Sequence, residues 1–314
     1  MNLLVTGASG FIGKHLLNEF SGKPDFFRLI TRKKQKISDS DKISHIEVIE
    51  ADISNRDSLK LVFNNIDILI HMAAETKPNG DFRNTNILGV ENLAYFCLEK
   101  NIKRVIHLSS VGVYGQQYQD KLYNVSEENS FEPKNDYERS KLESEKIFQR
   151  TLSGTSTELV ILRPTNVFGE FGQKNTLLNF FSMISGGKPF VYTPQSRVNY
   201  VYVKDVAHRI AQFVYLESAQ GVFNVGKSFE ALEFLRESAL VLGRRPFPVA
   251  VPVPILNVAA AILPQRFQGK IQSVSNYVQY DDSRIRSLLG EDKYDLRMGL
   301  ENTALYFRDQ GLLP

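Results

Sequence analysis

The segment NDYERSK at residues 135 to 141 contains Tyr137 and Lys141, a phenol and an ammonium four positions apart. Side chains at i and i+4 of a helix stand about 5 to 6 Å apart, and Asp136 is predicted as the N-cap of this helix. A free tyrosine has a pKa of about 10, so a base near neutral pH needs about 4 kcal/mol of preference for the phenolate. An adjacent ammonium has the sign that lowers the pKa of Tyr137. Taken with Ser110 and the glycine loop described below, the pair predicts a catalytic acid and base rather than two unrelated surface residues.

A second match to this spacing, Tyr200 and Lys204, lies in the apolar segment NYVYVKDV. The chain has 13 tyrosines, so about one such match is expected by chance. The segment is predicted as a strand, in which four residues span about 13 Å. That distance is too long for one phenol–ammonium unit, so only Tyr137 and Lys141 are assigned to catalysis.

Ser110 ends the predicted strand RVIHLSS at residues 104 to 110. Ligands of open α/β sheets bind at the carboxyl ends of the strands. Ser110 is therefore predicted to hydrogen-bond the substrate oxygen beside Tyr137, whereas Ser109 is interpreted as structural.

The loop VTGASGFIG places Gly7, Gly10 and Gly13 after the first predicted strand and at the start of a helix. A dinucleotide needs a tight turn there, a close approach of backbone to its pyrophosphate, and a helix N-terminus facing the negative charge. The loop therefore predicts nucleotide binding rather than an ordinary strand-to-helix turn.

The elements that must position these residues are read from the rest of the sequence, in which short apolar runs alternate with helical patterns. Runs without polar alternation are typical of parallel strands buried on both faces. The alternation predicts an α/β fold with a doubly wound parallel sheet. Predicted strands occupy residues 2–6, 27–31, 46–51, 67–73, 104–110 and 158–164, and predicted helices occupy residues 10–20, 54–64, 85–100 and 137–152.

After Pro164 the alternation loosens, with a helix predicted near 176–184, a strand at NYVYV, a helix from Asp205 and a strand at GVFNVG. We expect residues 1–165 to form a dinucleotide-binding domain and residues 166–314 a smaller substrate-binding lobe. About residues 199–228 are expected to return to the main domain, because the sequence has no internal repeat that would indicate tandem domains.

The composition is that of a soluble globular protein, with 42% hydrophobic residues, 23% charged residues and a net charge of +3 over 314 residues. Basic residues are mixed with acidic ones, which argues against nucleic acid as a partner. Cys97 is the only cysteine, so no intrachain disulfide forms and a reducing, cytoplasmic location is expected. The N-terminus is predicted to begin as a strand rather than as a signal peptide. No metal site is predicted.

The segment PFPVAVPVPILNVAAAILP at residues 246 to 264 is almost wholly apolar. Its prolines leave about nine residues able to form one helix, against about 20 that are needed to cross a bilayer. We therefore predict no membrane insertion and favour a core or lid segment, with contact to a membrane surface as the open alternative.

Several motifs occur in an order that identifies a family. The glycines after Thr6 are spaced Gly-x-x-Gly-x-x-Gly, and they are followed by EADIS with Asp52, HMAA at 71 to 74, NTNILGVENL with Asn86, and Ser110 four residues before Tyr114. With Tyr137 and Lys141, this set resembles the extended short-chain dehydrogenase/reductase family, and within it the nucleotide-sugar epimerases and 4-ketoreductases. The resemblance implies a Rossmann-like fold of the extended short-chain dehydrogenase type with a smaller C-terminal substrate-binding lobe. It also implies a homodimer.

The resemblance further implies which residues contact the cofactor. It implies that Lys141 holds the nicotinamide ribose and adjusts the pKa of Tyr137. The implied cofactor contacts are Thr6, Gly7, Gly10, Phe11, Ile12, Gly13, Asp52, Ile53, Met72, Ala73, Ala74, Asn86, Tyr137, Lys141 and Pro164.

The residues after the second predicted strand bear on the choice of nicotinamide cofactor. An acidic residue there selects NAD, whereas an arginine suits the 2′-phosphate of NADP. The chain reads LITRKKQK, with Thr31, Arg32, Lys33 and Lys34 where the acid would stand. We therefore favour NADP(H), bound mainly by Arg32, over a merely solvated basic turn, and NAD(H) stays possible.

On the substrate side, LRPTNVFGEFGQKN and SRVNYVYVKDVA resemble segments of enzymes that modify nucleotide-linked sugars. The resemblance implies that Asn166 contacts the nucleotide diphosphate and that Arg197 grips it; a surface ion pair is the alternative for Arg197. The sequence departs from the pattern of these enzymes at two places. The Arg-x-Gly-Asp element is replaced around RFQGKIQS, and Val111 and Gly112 stand where related dehydratases carry an acidic pair, which argues against dehydration.

The sequence leaves four candidate functions. The favoured one is NADPH-dependent reduction of a 4-keto nucleotide sugar, and the main alternative is an NAD-dependent nucleotide-sugar 4-epimerase. A reductase of a hydrophobic ketone would use the apolar segment at 246 to 264. A non-catalytic, cofactor-sensing protein would not need Ser110, Tyr137 and Lys141 together, so their presence argues against it.

Overall fold

The computed structural model describes residues 1–32, 45–115, 121–172, 176–262 and 276–314. Over these residues the strands are β1 (Asn2–Thr6), β2 (Phe26–Thr31), β3 (Ile46–Glu50), β4 (Ile68–His71), β5 (Arg104–Leu108), β6 (Tyr123–Val125), β7 (Glu158–Pro164), β8 (Asn166–Phe168), β9 (Phe190–Tyr192), β10 (Arg197–Tyr202), β11 (Gly221–Val225), β12 (Lys227–Glu230), β13 (Pro248–Ala250) and β14 (Val278–Tyr280).

The helices alternate with the strands. They are α1 (Phe11–Glu19), α2 (Arg56–Leu59), α3 (Gly89–Glu99), α4 (Asp136–Leu152), α5 (Thr176–Ser185), α6 (Val203–Tyr215), α7 (Ala231–Val241), α8 (Val253–Ile262), α9 (Ser283–Leu289) and α10 (Leu296–Asp309). A π-helical turn at Arg83–Leu88 precedes α3, and a 3₁₀ turn at Val111–Tyr114 follows β5.

Seven strands form the central parallel sheet in the order β11-β7-β5-β4-β1-β2-β3. The chain runs outward from β1 to β3 and then returns to place β4 on the other side of β1. The predicted doubly wound α/β fold is confirmed. Because ligands of such sheets bind where the strand order reverses, the carboxyl ends of β1 and β4 mark the expected site.

The central strands are buried, as their sequences predict. Leu3, Leu4 and Val5 of β1 are fully buried, and all five residues of β5 are buried. Such strands have no polar alternation because both of their faces pack against helices. The predicted strand positions agree with those observed to within a few residues.

Two helices differ from their predictions. Asn135, not Asp136, is the N-cap of α4, because its side chain accepts a hydrogen bond of 2.9 Å from Glu138 N. The helix predicted at 54–64 is α-helical only over Arg56–Leu59. Beyond it, Val62 N bonds Leu59 O and Asn64 N bonds Leu61 O, so tighter i to i+3 turns replace the helix.

The smaller sheets pack in two further clusters. Strand β10 pairs with β8 and β12, β13 pairs with β9, and β14 pairs with β6. The cluster at β8, β9, β10 and β12 contains the buried aromatic side chains of Phe168, Phe181, Phe234 and Phe307, whereas β6 and β14 belong to a separate, smaller cluster. Helix α6 and strand β11 instead pack with the main sheet, through Val206, Ile210, Phe213 and Phe223 among others. The division at residue 165 stays a prediction.

Helix α8 lies in the apolar segment at 246 to 264. It spans ten residues, and within the described parts of the chain we find no helix with the length and apolar character to cross a membrane. Pro264 and the segment RFQGKIQS lie outside the described residues.

Candidate active site

The glycine loop lies at the carboxyl end of β1. Gly7 has φ +79°, and a Cβ there would meet Ala73 N at 2.7 Å, so only glycine allows this approach between the loops after β1 and β4. A Cβ at Gly13 would meet Gly7 O at 2.4 Å. Helix α1 starts after Gly10 with no side-chain cap and no acidic residue in its first turn. The N–H groups of this turn therefore fit an anionic pyrophosphate.

Thr6 ties the glycine loop to the segment after β4. Its Oγ1 accepts a hydrogen bond of 3.2 Å from Ala73 N and lies 2.7 Å from His71 Nδ1, while Thr6 O accepts a bond of 3.1 Å from Met72 N. Ala73 and Ala74 are partly buried beside the loop. The structure thus brings the implied cofactor residues of both segments to one edge of the sheet.

The predicted adenosine contacts lie at the carboxyl ends of β2 and β3. The Asp52 carboxylate is exposed, and its Oδ1 accepts bonds from Ser54 N at 2.9 Å and Ser54 Oγ at 2.8 Å. Ile53 is buried against Gly89. Arg32 is exposed directly after β2 and forms no ion pair with another described residue. Lys33 and Lys34 lie outside the described residues.

Asn86 is buried and organises the loop rather than facing outward. Its Oδ1 accepts a bond of 2.8 Å from Glu75 N, and its Nδ2 donates to Glu75 O at 3.0 Å and to Ser140 Oγ at 2.9 Å. Ser140 Oγ in turn donates to Tyr137 O at 2.7 Å. Asn86 therefore connects the loop after β4 to the first turn of α4, and its contact with a cofactor stays a prediction.

Lys141 is buried, with 4% of its surface exposed. Its Nζ donates a 2.5 Å hydrogen bond to Leu108 O, at the carboxyl end of β5 and two residues before Ser110. Burial lowers the pKa of Lys141 to about 8, against a smaller opposing effect of Glu145. The ammonium is therefore held beside the sheet edge by a backbone carbonyl rather than by a carboxylate.

Tyr137 lies one helical turn before Lys141 on α4 and is partly buried. Its pKa is raised, first because the hydroxyl is buried and second because the Glu138 carboxylate is near. The expected lowering by the lysine is therefore not provided by the chain alone. Within the described part of the chain, the Tyr137 hydroxyl donates no hydrogen bond, which leaves it available to a ligand.

Ser110 caps the 3₁₀ turn after β5, where its Oγ accepts a 3.0 Å hydrogen bond from Gly112 N. A serine oxygen that accepts this bond keeps its own hydrogen for donation to another group. Ser109 points elsewhere, since it is buried and its hydroxyl donates to Glu145 Oε1. The structural interpretation of Ser109 agrees with this contact.

A buried ion pair between α4 and β7 was missed by sequence reasoning. Arg163 of β7 donates from Nε at 3.0 Å and from Nη2 at 2.6 Å to the Glu145 carboxylate of α4, and both side chains are 1% exposed. Arg163 Nη1 also donates to Tyr114 Oη at 2.6 Å. A charged residue inside the apolar run ELVILRP was the available signal, because a buried arginine requires a partner.

Two buried histidines were also missed. His71 and His107 are paired in register on β4 and β5, and their rings stack at 5.2 Å. Burial and the neighbouring Lys141 lower the pKa of His71 to about 3 and also lower that of His107, so both imidazoles are neutral. Their equivalent positions, at the end of ILIH and of RVIH, could have predicted the stack.

The predicted substrate residues lie on the smaller sheet. Asn166 is exposed at the start of β8, and its Nδ2 donates to Asn199 O at 3.0 Å. Arg197 begins β10 with its side chain 20% exposed, and its Nη2 is 3.7 Å from Glu230 Oε1. Its Nε is buried and has no hydrogen-bond partner among the described residues. Since the carboxylate of Glu230 is exposed, this pair holds the guanidinium only weakly. Pro164 ends β7, next to Thr165.

Comparison with known proteins gives consistent results. Residues 3–226 match the sequence model of the NAD dependent epimerase/dehydratase family. The UDP-glucose 4-epimerase of Vibrio cholerae is 27% identical over 98% of this chain and 95% of its own length. The N-acetyl-alpha-D-glucosaminyl-diphospho-ditrans,octacis-undecaprenol 4-epimerase of Escherichia coli O157:H7 is 25% identical over 97% and 95% of the two chains.

The fold is shared with solved structures. That of UDP-glucuronic acid 4-epimerase from Bacillus cereus in complex with NAD aligns with a TM-score of 0.76 and 22% identity over 99% of each chain. The predicted resemblance to nucleotide-sugar epimerases of the extended short-chain dehydrogenase/reductase family is confirmed, and so is the prediction of an enzyme.

Proposed function

We propose that this chain, which belongs to the NAD dependent epimerase/dehydratase family, works as a 4-epimerase of a nucleotide-diphosphate sugar. The observation that carries the proposal is the position of Lys141, which is bonded at the end of β5 two residues before Ser110 and one helical turn after Tyr137. A proton-transfer group, a hydrogen-bond donor and a buried cation thus share the edge of the sheet that carries the glycine loop. This set suits hydride transfer at a carbinol carbon.

The residues at this edge fit a nicotinamide dinucleotide. The backbone at Gly7 and the uncapped first turn of α1 suit the pyrophosphate, and Lys141 is the residue that would hold the nicotinamide ribose. When bound, the nicotinamide supplies the acceptor and donor of hydride. The Asp52 carboxylate would face the adenine side.

In the proposed reaction Tyr137 removes the proton from the hydroxyl at carbon 4 of the sugar as hydride leaves that carbon. Ser110 donates a hydrogen bond to the same oxygen throughout. The Lys141 ammonium offsets the negative charge on the phenolate, against the burial that raises the pKa of Tyr137. After the 4-keto sugar has rotated to present its opposite face, hydride returns to carbon 4 as Tyr137 returns the proton to the oxygen. Arg197 and Asn166 would hold the nucleotide diphosphate.

The residues beside Ser110 support a redox reaction without loss of water. Gly112 stands where an acidic residue would serve a dehydratase, and a Cβ there would meet Glu138 Cγ at 2.9 Å. The Glu138 carboxylate already has a partner, because its Oε2 accepts a 2.6 Å hydrogen bond from Lys134 N just before α4. The 4-epimerases that match nearly the whole chain support the same choice.

A second candidate is NADPH-dependent reduction of a 4-keto nucleotide sugar. It is favoured by one observation, the exposed Arg32 directly after β2 in place of an acidic residue. A guanidinium there would bind the 2′-phosphate of NADP. The residues at the reacting carbon would be the same, and hydride would pass once from the cofactor to the ketone. A homodimer is part of either proposal.

The test is to denature the purified protein, identify any released dinucleotide, and titrate the cofactor-free protein with NADPH and NADH. An epimerase should release stoichiometric NAD and convert a UDP-hexose into its 4-epimer without added cofactor. A protein that is empty, prefers NADPH and reduces a 4-keto nucleotide sugar would overturn the epimerase proposal in favour of the reductase. An Arg32→Ala variant should lose that preference for NADPH only in the second case.

A further inference from the structure

The smaller lobe carries an apolar surface that faces solvent. Its exposed side chains are Val191 of β9, Phe247 just before β13, and Ile255 and Val258 of α8, with exposures of 36%, 54%, 59% and 62%. Large apolar side chains exposed together on neighbouring elements indicate a candidate binding surface. We call these four residues the apolar face.

The apolar face belongs to one continuous structure. Strands β9 and β13 pair in parallel, and Phe190 N donates to Phe247 O at 2.8 Å at the start of the pair. At its other end Val251 N donates to Tyr192 O at 2.9 Å, directly before α8. Ile255 and Val258 are three residues apart and so lie on the same side of α8, whereas Leu256 is buried.

The charges in the two segments that carry the apolar face are of one sign. The sequence contains no acidic residue from 176 to 192 or from 242 to 262, while Lys188, Arg244 and Arg245 lie there. All three side chains are exposed, and none forms an ion pair with another described residue. The exposed Leu61 provides a contrast, because its neighbour Lys60 forms an ion pair with Asp57.

We propose that the apolar face and its basic rim dock the protein onto an anionic membrane surface. A short helix with exposed apolar residues and cationic neighbours lies in the headgroup region, with its apolar side toward the acyl chains. Helix α8 has ten residues, so it would lie in the plane of the membrane rather than cross it. The unpaired cations select lipid headgroups of negative charge.

The experiment is sedimentation of the full-length protein with phosphatidylcholine vesicles, with and without phosphatidylglycerol. The protein should bind only the vesicles that contain phosphatidylglycerol, and added salt should weaken the binding. The double variant I255D/V258D and, separately, R244E/R245E should each reduce the bound fraction roughly tenfold. Because these side chains are exposed, thermal unfolding should be nearly unchanged.

Matched controls separate this surface from general stickiness. Leu61→Asp changes an exposed leucine outside the apolar face, and Lys60→Glu reverses an exposed charge; both should bind vesicles as the unchanged protein does. Equal loss of binding in the controls would overturn the proposal. It would also be overturned if the unchanged protein bound neither kind of vesicle. A change of oligomeric state in I255D/V258D without vesicle binding would assign the apolar face to a second copy of this chain instead.

Discussion

The chain contains the Tyr-x-x-x-Lys spacing twice, and the two regions differ in how the tyrosine and the lysine are placed and in what the lysine contacts. Tyr137 and Lys141 lie on the same side of α4, and the lysine is buried without a carboxylate partner. Tyr200 lies on β10, and Lys204 lies across the strand-to-helix junction in α6, where its Nζ pairs with Glu170 Oε1 at 2.7 Å. The same spacing thus produces a buried cation at one edge and an ordinary ion pair at another.

The difference shows why secondary structure decides the chemistry of a short motif. A helix brings i and i+4 together, whereas the break between β10 and α6 separates Tyr200 from Lys204. Tyr200 stacks at 4.8 Å on Phe234, and burial raises the pKa of Tyr200 to about 12, which keeps its hydroxyl neutral. The Lys204 charge is neutralised by Glu170 in a partly buried pair, whose side chains are 31% and 14% exposed, whereas a buried ammonium without such a pair is a strong local charge.

The largest expected effect comes from the two tyrosines. Tyr137→Phe should lower kcat by about 10³-fold, because it removes the group that carries the proton. Tyr200→Phe keeps the stacking on Phe234 and should leave kcat within about twofold. Dinucleotide titration provides the control, since both variants should still bind cofactor. Equal losses in the two variants would remove the distinction between the regions.

The two lysines should differ by a smaller factor. Lys141→Met should lower kcat by about 10²-fold, because it removes a buried positive charge beside the reacting oxygen. Lys204→Met breaks the pair with Glu170, which Tyr202 Oη still contacts at 2.8 Å, and removes the ammonium that lies 5.6 Å from the centre of the Tyr202 ring. It should cost about 1 to 2 kcal/mol of stability with kcat unchanged. Steady-state kinetics and thermal unfolding of both variants check this prediction. An active Lys141→Met would contradict it.

Ser109 and Ser110 allow a similar comparison between two neighbouring residues at the end of β5. Ser110→Ala should lower kcat by about 10- to 100-fold through loss of the bond to the substrate oxygen, and Ser110→Thr should restore most of it. Ser109→Ala should instead lower the free energy of unfolding by about 1 to 3 kcal/mol, because the buried Glu145 loses a donor. Its kcat per folded molecule should be unchanged. Chemical denaturation and kinetics together separate the two outcomes.

The last prediction is a pH dependence of stability, read as the difference between the unchanged protein and Lys141→Met, so that the effect of the raised pKa of the buried Cys97 cancels. The pKa of Lys141 is about 8 in the folded chain against 10.5 for the free side chain, so between these values the unfolded chain binds more protons. The free energy of unfolding should therefore rise with pH across this window, by on the order of 3 kcal/mol relative to Lys141→Met. Lys204→Met should keep the rise. A rise that persists in Lys141→Met would assign it to another group.

The fold was predictable because its strands are buried on both faces and therefore read as apolar runs. The residues 2–6 and 158–164 were predicted with the observed bounds of β1 and β7. Helix α2 was overestimated because the pattern of apolar residues is the same for an α-helix and for the tight turns that follow Leu59.

The candidate site was predictable where it depends on local geometry. The Gly7 loop and the Tyr137–Lys141 spacing are read from neighbouring positions. Contacts between distant segments were not predictable, such as Lys141 with Leu108 O or Arg163 with Glu145. The raised pKa of Tyr137 was missed for the same reason, since burial is a property of the packed chain.

The most direct test of the central claim uses the reduced nicotinamide as the readout. The protein, loaded with the dinucleotide that it retains, is mixed with a UDP-hexose, and the near-ultraviolet absorbance is followed in the unchanged protein, Tyr137→Phe and Tyr200→Phe. We expect the absorbance of reduced nicotinamide to develop in the unchanged protein and in Tyr200→Phe, and to be lost in Tyr137→Phe. Undiminished reduction in Tyr137→Phe would contradict the assignment of Tyr137 as the proton-transfer group.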